Sequence, residues 1–491
     1  MEKYVEKHAK VGSCYRKIGK ALTDLSEFKK AEEMFEKSKA IFLGIYGEGH
    51  AEVASTYNEM GNLFNKLGEY NKALETLDNS LQINLKLFGK NHHEVANNYT
   101  NLGESHCYLG NYQKALDYFN DALKIFLEKY GEFNEDVAHC YNNYGFIYYS
   151  LGEVKKALDY QEKSLNIQLK LYGEKHPFVA LSYNNIAFSY EFLGENQKGL
   201  ECKEKALKIR LELYGEHHAD VASSYHNIGI TYESLGNCSK ALEYYEKALK
   251  SRLEIYGENH PDVAASYNNI STTYYSMDNH EKALEFSEKS LQIYLKIFGE
   301  HSTDVATNYN NTGVLYETKG EYEKAMDYYQ KSLKIYQEFF GEQNHPQIAN
   351  SLNNIGCVYE NLGETSKAFE FKEKSLKMSL EISGEFSVDV AKKIISLGTS
   401  YQKTGDLNKA MENYQKGLKI QIDIYGEQHP DVASTYVCIG LLYHSKKKKK
   451  NAIQNFQKAH QIFIQFYNTD HSQVVDNFKN LTKLTNRFFF W

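Results

Sequence analysis

Apolar and polar positions along this chain fall into two helical stripes that return every 42 residues. In the stretch Gly215–Tyr256, apolar residues stand at Val221, Ala222, Tyr225, Ile228, Tyr232 and Leu235. Spacings of three and four put them on one face of a helix. Gly236-Asn237 breaks the pattern. A second stripe runs through Ala241, Leu242, Tyr245, Ala248, Leu249, Leu253 and Tyr256, and Gly257 ends it as a C-cap. The unit is predicted to be a helical hairpin. Its closing glycine recurs at Gly47, Gly89, Gly131, Gly173, Gly215, Gly257, Gly299, Gly341, Gly384 and Gly426, and Asn468 holds the next slot. A fixed period of this kind predicts an array growing along one axis rather than separate globular cores.

The punctuation agrees with that phase. All four prolines, Pro177, Pro261, Pro346 and Pro430, share one column, and proline is tolerated at a helix start and hardly anywhere inside. Asp220, Asp262, Asp304, Asp389 and Asp431 fill the next column, where a carboxylate is expected to cap free amides. Small residues recur in three columns, represented by Gly229, Ala241 and Ala248. Glycine inside a helix costs about 1 kcal/mol relative to alanine, so its return predicts close helix approach.

The order Tyr225, Ile228-Gly229, Tyr232, Ala241, Ala248 resembles the tetratricopeptide pattern. Tyrosine replaces the usual tryptophan, and the unit exceeds the usual length of about 34 residues. The surplus is assigned to a longer second helix and to the loop Gly-Glu-x-His-Pro-Asp-Val-Ala, seen at Gly257–Ala264 and Gly426–Ala433. This version is similar to the repeats of the kinesin light chain and nephrocystin-type proteins. The resemblance covers essentially the whole chain. It implies an all-α, right-handed αα-solenoid (a superhelix) of about eleven hairpins plus a C-terminal capping helix. The expected organisation is a partial repeat or loop over 1–10, a tandem array over 11–467, and a capping helix with an aromatic tail over 468–491. Residues 4–11 align with Tyr46–Val53, so the chain is expected to start inside an inter-repeat loop, as an array continuing upstream would. Val474–Leu484 aligns with a first helix. The tail Arg487–Trp491 either packs on the last hairpin or docks on a partner.

Composition narrows the function. With 42% apolar and 25% charged residues the chain can fold. A net charge of −7, with Lys and Glu intermixed, excludes a general nucleic-acid surface. No apolar run approaches the roughly 20 residues that cross a bilayer. Seven cysteines, of which only Cys14 and Cys140 share a column, include no CxxC pair, which points to reduced cytoplasmic thiols rather than disulfides or zinc. His50, His92, His176, His218, His260, His345, His429 and His471 share a loop column. One histidine per repeat cannot converge on one ion, so loop packing is expected. No cofactor motif, nucleophile elbow or catalytic constellation is present. The run Lys446–Lys450 replaces the last inter-helix turn.

One column remains for function. In the column two residues after the position of Tyr225 stand Asn101, Asn143, Asn185, Asn227, Asn269, Asn311 and Asn354, while the outer repeats hold Lys17, Glu59, Ser396 and Cys438 there. Asparagine is a mediocre helix former, and its amide offers both donors and an acceptor. Resembling tetratricopeptide proteins hold a bound peptide's main chain with an asparagine in this slot, which implies the same role here. The competing reading is that these amides tie one repeat to the next. Three residues further on, Phe146, Phe188 and Ile230 form an apolar line that either selects partner side chains or packs against the neighbouring hairpin. The expected function is a non-catalytic scaffold or adaptor for extended peptide segments of other proteins. The alternatives are the sensor portion of a larger signalling or nucleotide-binding protein, or a light-chain-like cargo adaptor lacking the coiled coil that binds a heavy chain.

Overall fold

The computed structural model describes residues 2–25, 27–341, 343–467 and 472–485. Asn468, His471 and the tail Arg487–Trp491 lie outside them. Among the described residues there are 23 α-helices, one 3-10 turn at Gly299–His301 and no strand. The helices group into two compact units, residues 1–213 and 214–491. The first holds five hairpins, from Glu2–Asp24 with Phe28–Tyr46 to Pro177–Phe192 with Asn196–Tyr214. The second holds six, from Ala219–Ser234 with Cys238–Tyr256 to Pro430–Ser445 with Lys449–Phe466, closed by the helix Ser472–Thr485. Within each unit the helices pack on their hairpin partners and then on the next repeat, the arrangement of a tetratricopeptide-type αα-solenoid. The second helix is the longer one, 19 residues against 16 in the repeat that begins at Ala219.

The stripes meet in the core as their spacing predicts. Val221, Ile228, Ala241 and Ala248 are fully buried. Most of the column glycines face aromatic rings, whereas Gly61, Gly145 and Gly356 face Leu77, Gln161 and Lys372. A Cβ on Gly229 would lie 2.6 Å from the Tyr245 ring, and one on Gly313 2.7 Å from the Tyr329 ring. Where the slot holds Ala187 or Ser271, the residue at the same register is Lys203 or Ser287, slimmer than a ring. In the third small column, Ser80, Ser164 and Ser290 donate to the carbonyls of Ala54, Ala138 and Ala264 at 2.7–2.8 Å. These bonds satisfy hydroxyls that would be costly to bury alone.

Three sequence expectations change. The helix caps are the residues two before the aspartates: histidine in most repeats, Ser302 before Asp304 and Ser387 before Asp389. His260 Nδ1 accepts from the Asp262 amide at 3.1 Å, and His429 does the same for Asp431. Each ring also stacks on the last aromatic of the preceding helix, Tyr256 on His260 at 4.0 Å and Tyr425 on His429 at 3.8 Å. The column aspartate sits in the first turn instead, where it complements the helix dipole. Secondly, the loop expected over 1–10 is helical, because one helix spans Glu2–Asp24. The glycines that open the other loops, Gly47 and Gly49, are replaced at the aligned positions by Val5 and Lys7, and nothing remains to stop a helix. Thirdly, only part of the lysine run is turn. Lys449 already opens a helix.

The inter-helix turn needs a positive φ, supplied by Gly236 at 71°. Asp278 and Lys447 occupy that slot at 62° and 56°. A left-handed non-glycine residue costs roughly 1 kcal/mol. Lys447→Gly is therefore expected to raise stability by up to about that amount, read as a higher urea midpoint. An unchanged or lower midpoint would refute the strain.

Candidate peptide-binding site

The seven column asparagines are half-buried on the first helices. Their amides reach across to the preceding repeat. Asn101 Nδ2 donates to Asn58 Oδ1 at 2.9 Å, and Asn185 Nδ2 to Asn142 Oδ1 at 3.0 Å. In the second unit Asn311 donates to Asn268 at 3.3 Å, Asn354 to Asn310 at 3.0 Å, and Asn269 pairs with the His226 ring at 3.2 Å. Asn143 donates to Glu104 Oε1 instead, at 3.4 Å. Asn227 occupies the same half-buried level, its backbone carbonyl accepting from Thr231 at 3.0 Å. The two asparagine columns are thus the two halves of an inter-repeat ladder, one donating and the other accepting. Each rung uses one amide donor of a side chain that also carries a second donor and a carbonyl.

The apolar line is exposed rather than packed away: Phe146 at 50%, Phe188 at 38% and Ile230 at 41%. In the first unit it meets the ladder. Asn143, Phe146, Asn185 and Phe188 line one cavity of about 470 Å³, in the usual range for ligand sites. Asn101 does not line it. Asn227, Ile230, Asn269, Asn311 and Asn354 belong to the second unit and line none of the cavities described here. Sequence reasoning missed Glu104, His139 and Tyr149, which line it too, beside Cys107, Tyr108, Phe119, Asn142 and Gln161. One signal was present. Glu104 is a lone carboxylate in the column that elsewhere carries Phe146 and Phe188.

The lining suits binding rather than covalent chemistry. Burial pushes the Cys107 thiol at the cavity wall up to about 11, which leaves no nucleophilic thiolate at neutral pH. Among the described residues, no group of three His, Cys, Asp or Glu side chains is placed to hold a metal ion, and no helix is long and apolar enough to cross a membrane.

Models of the tetratricopeptide repeat match residues 11–74, 52–128, 136–198, 178–254, 240–296, 262–338, 348–389 and 389–465. The chain belongs to the tetratricopeptide repeat family. A comparison with curated proteins gives no match. Among solved structures, the apo form of RapI is similar over 76% of this chain and 98% of its own, at 16% identity and a TM-score of 0.57. The quorum sensor NprR from B. thuringiensis, also in its apo form, covers 72% and 99% at 18% identity and a TM-score of 0.50. BtubC (BKLC) from P. vanneervenii covers 47% and 92% at 24% identity and a TM-score of 0.43. At these identities the likeness is one of fold.

This tetratricopeptide array also buries carboxylates on its first helices, and it supplies four of them with a donor from the same hairpin. Glu191 pairs with Lys203 at 2.7 Å. Glu233 and Glu317 accept from the hydroxyls of Tyr245 and Tyr329 at 2.9 Å. Glu360 pairs with Lys372. Burial alone would push Glu360 up, but Lys372 and Lys403 hold it below the ordinary carboxylate range.

Proposed function

We propose that this array is a non-catalytic scaffold or adaptor that binds extended peptide segments of other proteins along the face built by its first helices. The observation that carries this reading is the cavity of the first unit, where Asn143, Phe146, Asn185 and Phe188 come together. The amides offer spare hydrogen-bonding capacity for a peptide main chain. The exposed rings offer apolar surface for its side chains. All seven cysteines are free thiols, consistent with the cytoplasmic location that we assign it.

Because the asparagines are also rungs of the ladder, changing them confuses binding with stability. Phe146 and Phe188 are better probes, since each is more than a third exposed. Dodecapeptides selected from a random phage-displayed library on the full chain are expected to lose at least tenfold in affinity for the double variant Phe146→Ala/Phe188→Ala. That is a loss of about 1.4 kcal/mol or more, with the circular dichroism of the protein unchanged. Equal affinity for the variant would place binding elsewhere and remove this site.

A further inference from the structure

The cavity has a polarity that the family pattern does not explain. Its lining includes one carboxylate, Glu104, and no lysine or arginine. The neighbouring cavity of about 380 Å³ shares His139 and Asn142 with it, and adds Glu135 and Asp136, again without a lysine or arginine. Asp136 and Glu135 also complement the start of the helix Glu135–Ser150, so Glu104 is the informative group. Unlike Glu191, Glu233, Glu317 and Glu360, it receives no donor from the second helix of its own hairpin. Its partners come from the next repeat: His139 Nε2 at 3.3 Å and Asn143 Nδ2 at 3.4 Å. Among the described residues no lysine or arginine pairs with it. The rings of Tyr108, Phe146 and Tyr149 stand around the same space, together with that of Phe188, over which the Lys203 ammonium already lies at 4.8 Å.

A half-buried carboxylate walled by aromatic rings complements a cation on an aliphatic stem. The carboxylate accepts charge-assisted hydrogen bonds. The ring faces attract a cation and cover its methylenes. From this geometry we infer that the cavity between the helices His93–Tyr108, Glu135–Ser150 and Pro177–Phe192 takes an arginine or lysine side chain of the bound peptide. The inference rests on the groove reading above and specifies its partner as a basic segment. An acidic peptide would bring like charge to Glu104 and to the adjoining Glu135 and Asp136.

The test selects the same dodecapeptide library on the wild-type chain, on Glu104→Gln, and on Glu128→Gln, which removes the same charge from an exposed helix position outside the cavity. Peptides held by the wild type are expected to be enriched in arginine and lysine. Synthetic copies with the basic residue replaced by norleucine should bind at least tenfold more weakly. Glu104→Gln should abolish both the enrichment and that difference, whereas Glu128→Gln should keep them. Glutamine preserves the acceptor for Asn143, and burial already holds the Glu104 carboxyl above the ordinary carboxylate range, so the variant should melt no lower than wild type. Enrichment retained by Glu104→Gln, or norleucine binding as well as arginine, overturns the inference. If such peptides still depend on Phe146 and Phe188, the groove reading survives that outcome. Peptides indifferent to both rings would remove the two together.

Discussion

Replacing Lys372 by alanine is expected to cost about 3–5 kcal/mol, the range for removing one partner of a buried ion pair. The lysine side chain is 2% exposed. Its ammonium donates to Glu360, to Ser400 Oγ at 2.8 Å and to the Ser396 carbonyl at 3.3 Å. Alanine removes the charge and leaves those acceptors inside the array with a void beside them. Lys403, at 2.7 Å from Glu360, is half-exposed and offsets only part of the loss. In a repeat array the damage falls on neighbouring repeats first. Hydrogen exchange should therefore accelerate in the helices Thr365–Ser383 and Val388–Lys403 before the urea midpoint of the whole chain moves. The sign with pH is fixed by the depressed Glu360 carboxyl. Its contribution is complete above the ordinary value of 4.5 and is lost as pH falls through its lower folded-state value. The gap between wild type and Lys372→Ala should narrow in acid. Exchange rates unchanged in both helices would show that the pair contributes nothing.

Gly313→Ala is expected to destabilise by about 1–3 kcal/mol, because the added methyl overpacks a core that cannot yield. The new Cβ would come within 2.7 Å of Tyr329. That ring is fully buried, and its hydroxyl is held by Glu317 at 2.9 Å. It cannot swing away without breaking that bond. The helix propensity of alanine favours the variant by about 1 kcal/mol, so a neutral or stabilising result would show that the ring moves freely. The reverse exchange elsewhere provides the contrast. Ala187→Gly stands opposite Lys203 at the same register and should lose only the propensity term of about 1 kcal/mol and a small contact. Urea unfolding of the two variants, read beside wild type, separates packing from propensity.

The fold was legible because its signals repeat. A period of 42 residues returned the same tyrosines, alanines and glycines often enough to fix the hairpins, their phase and the closing helix. The caps were misassigned to Asp220 and its column because carboxylates are the better-known capping residues. At Asp220, Asp262 and Asp431 a histidine two residues before does the work through Nδ1 while its ring stacks on the preceding aromatic, a contact across a loop that no local pattern describes; at Asp304 and Asp389 a serine hydroxyl does it. The candidate site was half legible. Asn143, Phe146, Asn185 and Phe188 were marked by their columns and do meet. Their joint surroundings depend on three successive repeats, so Glu104, His139 and Tyr149 could not be grouped with them from spacing. The double role of the asparagines was also hidden. A residue-by-residue reading sees two adjacent columns pointing apart, whereas the bond runs from one column in a repeat to the other column in the repeat before.

That ladder has a consequence for how such a chain changes length. A repeat such as the one at Tyr267 carries both ends of a rung, Asn269 as donor to the repeat before it and Asn268 as acceptor for the repeat after it. Duplicating or deleting a whole segment between repeats that carry both columns, as those at Tyr267 and Tyr309 do, therefore leaves the rung with a donor and an acceptor at the new junction. Unequal recombination within the coding sequence can lengthen or shorten the array at little folding cost, while a cut at any other spacing breaks both the rung and the hairpin.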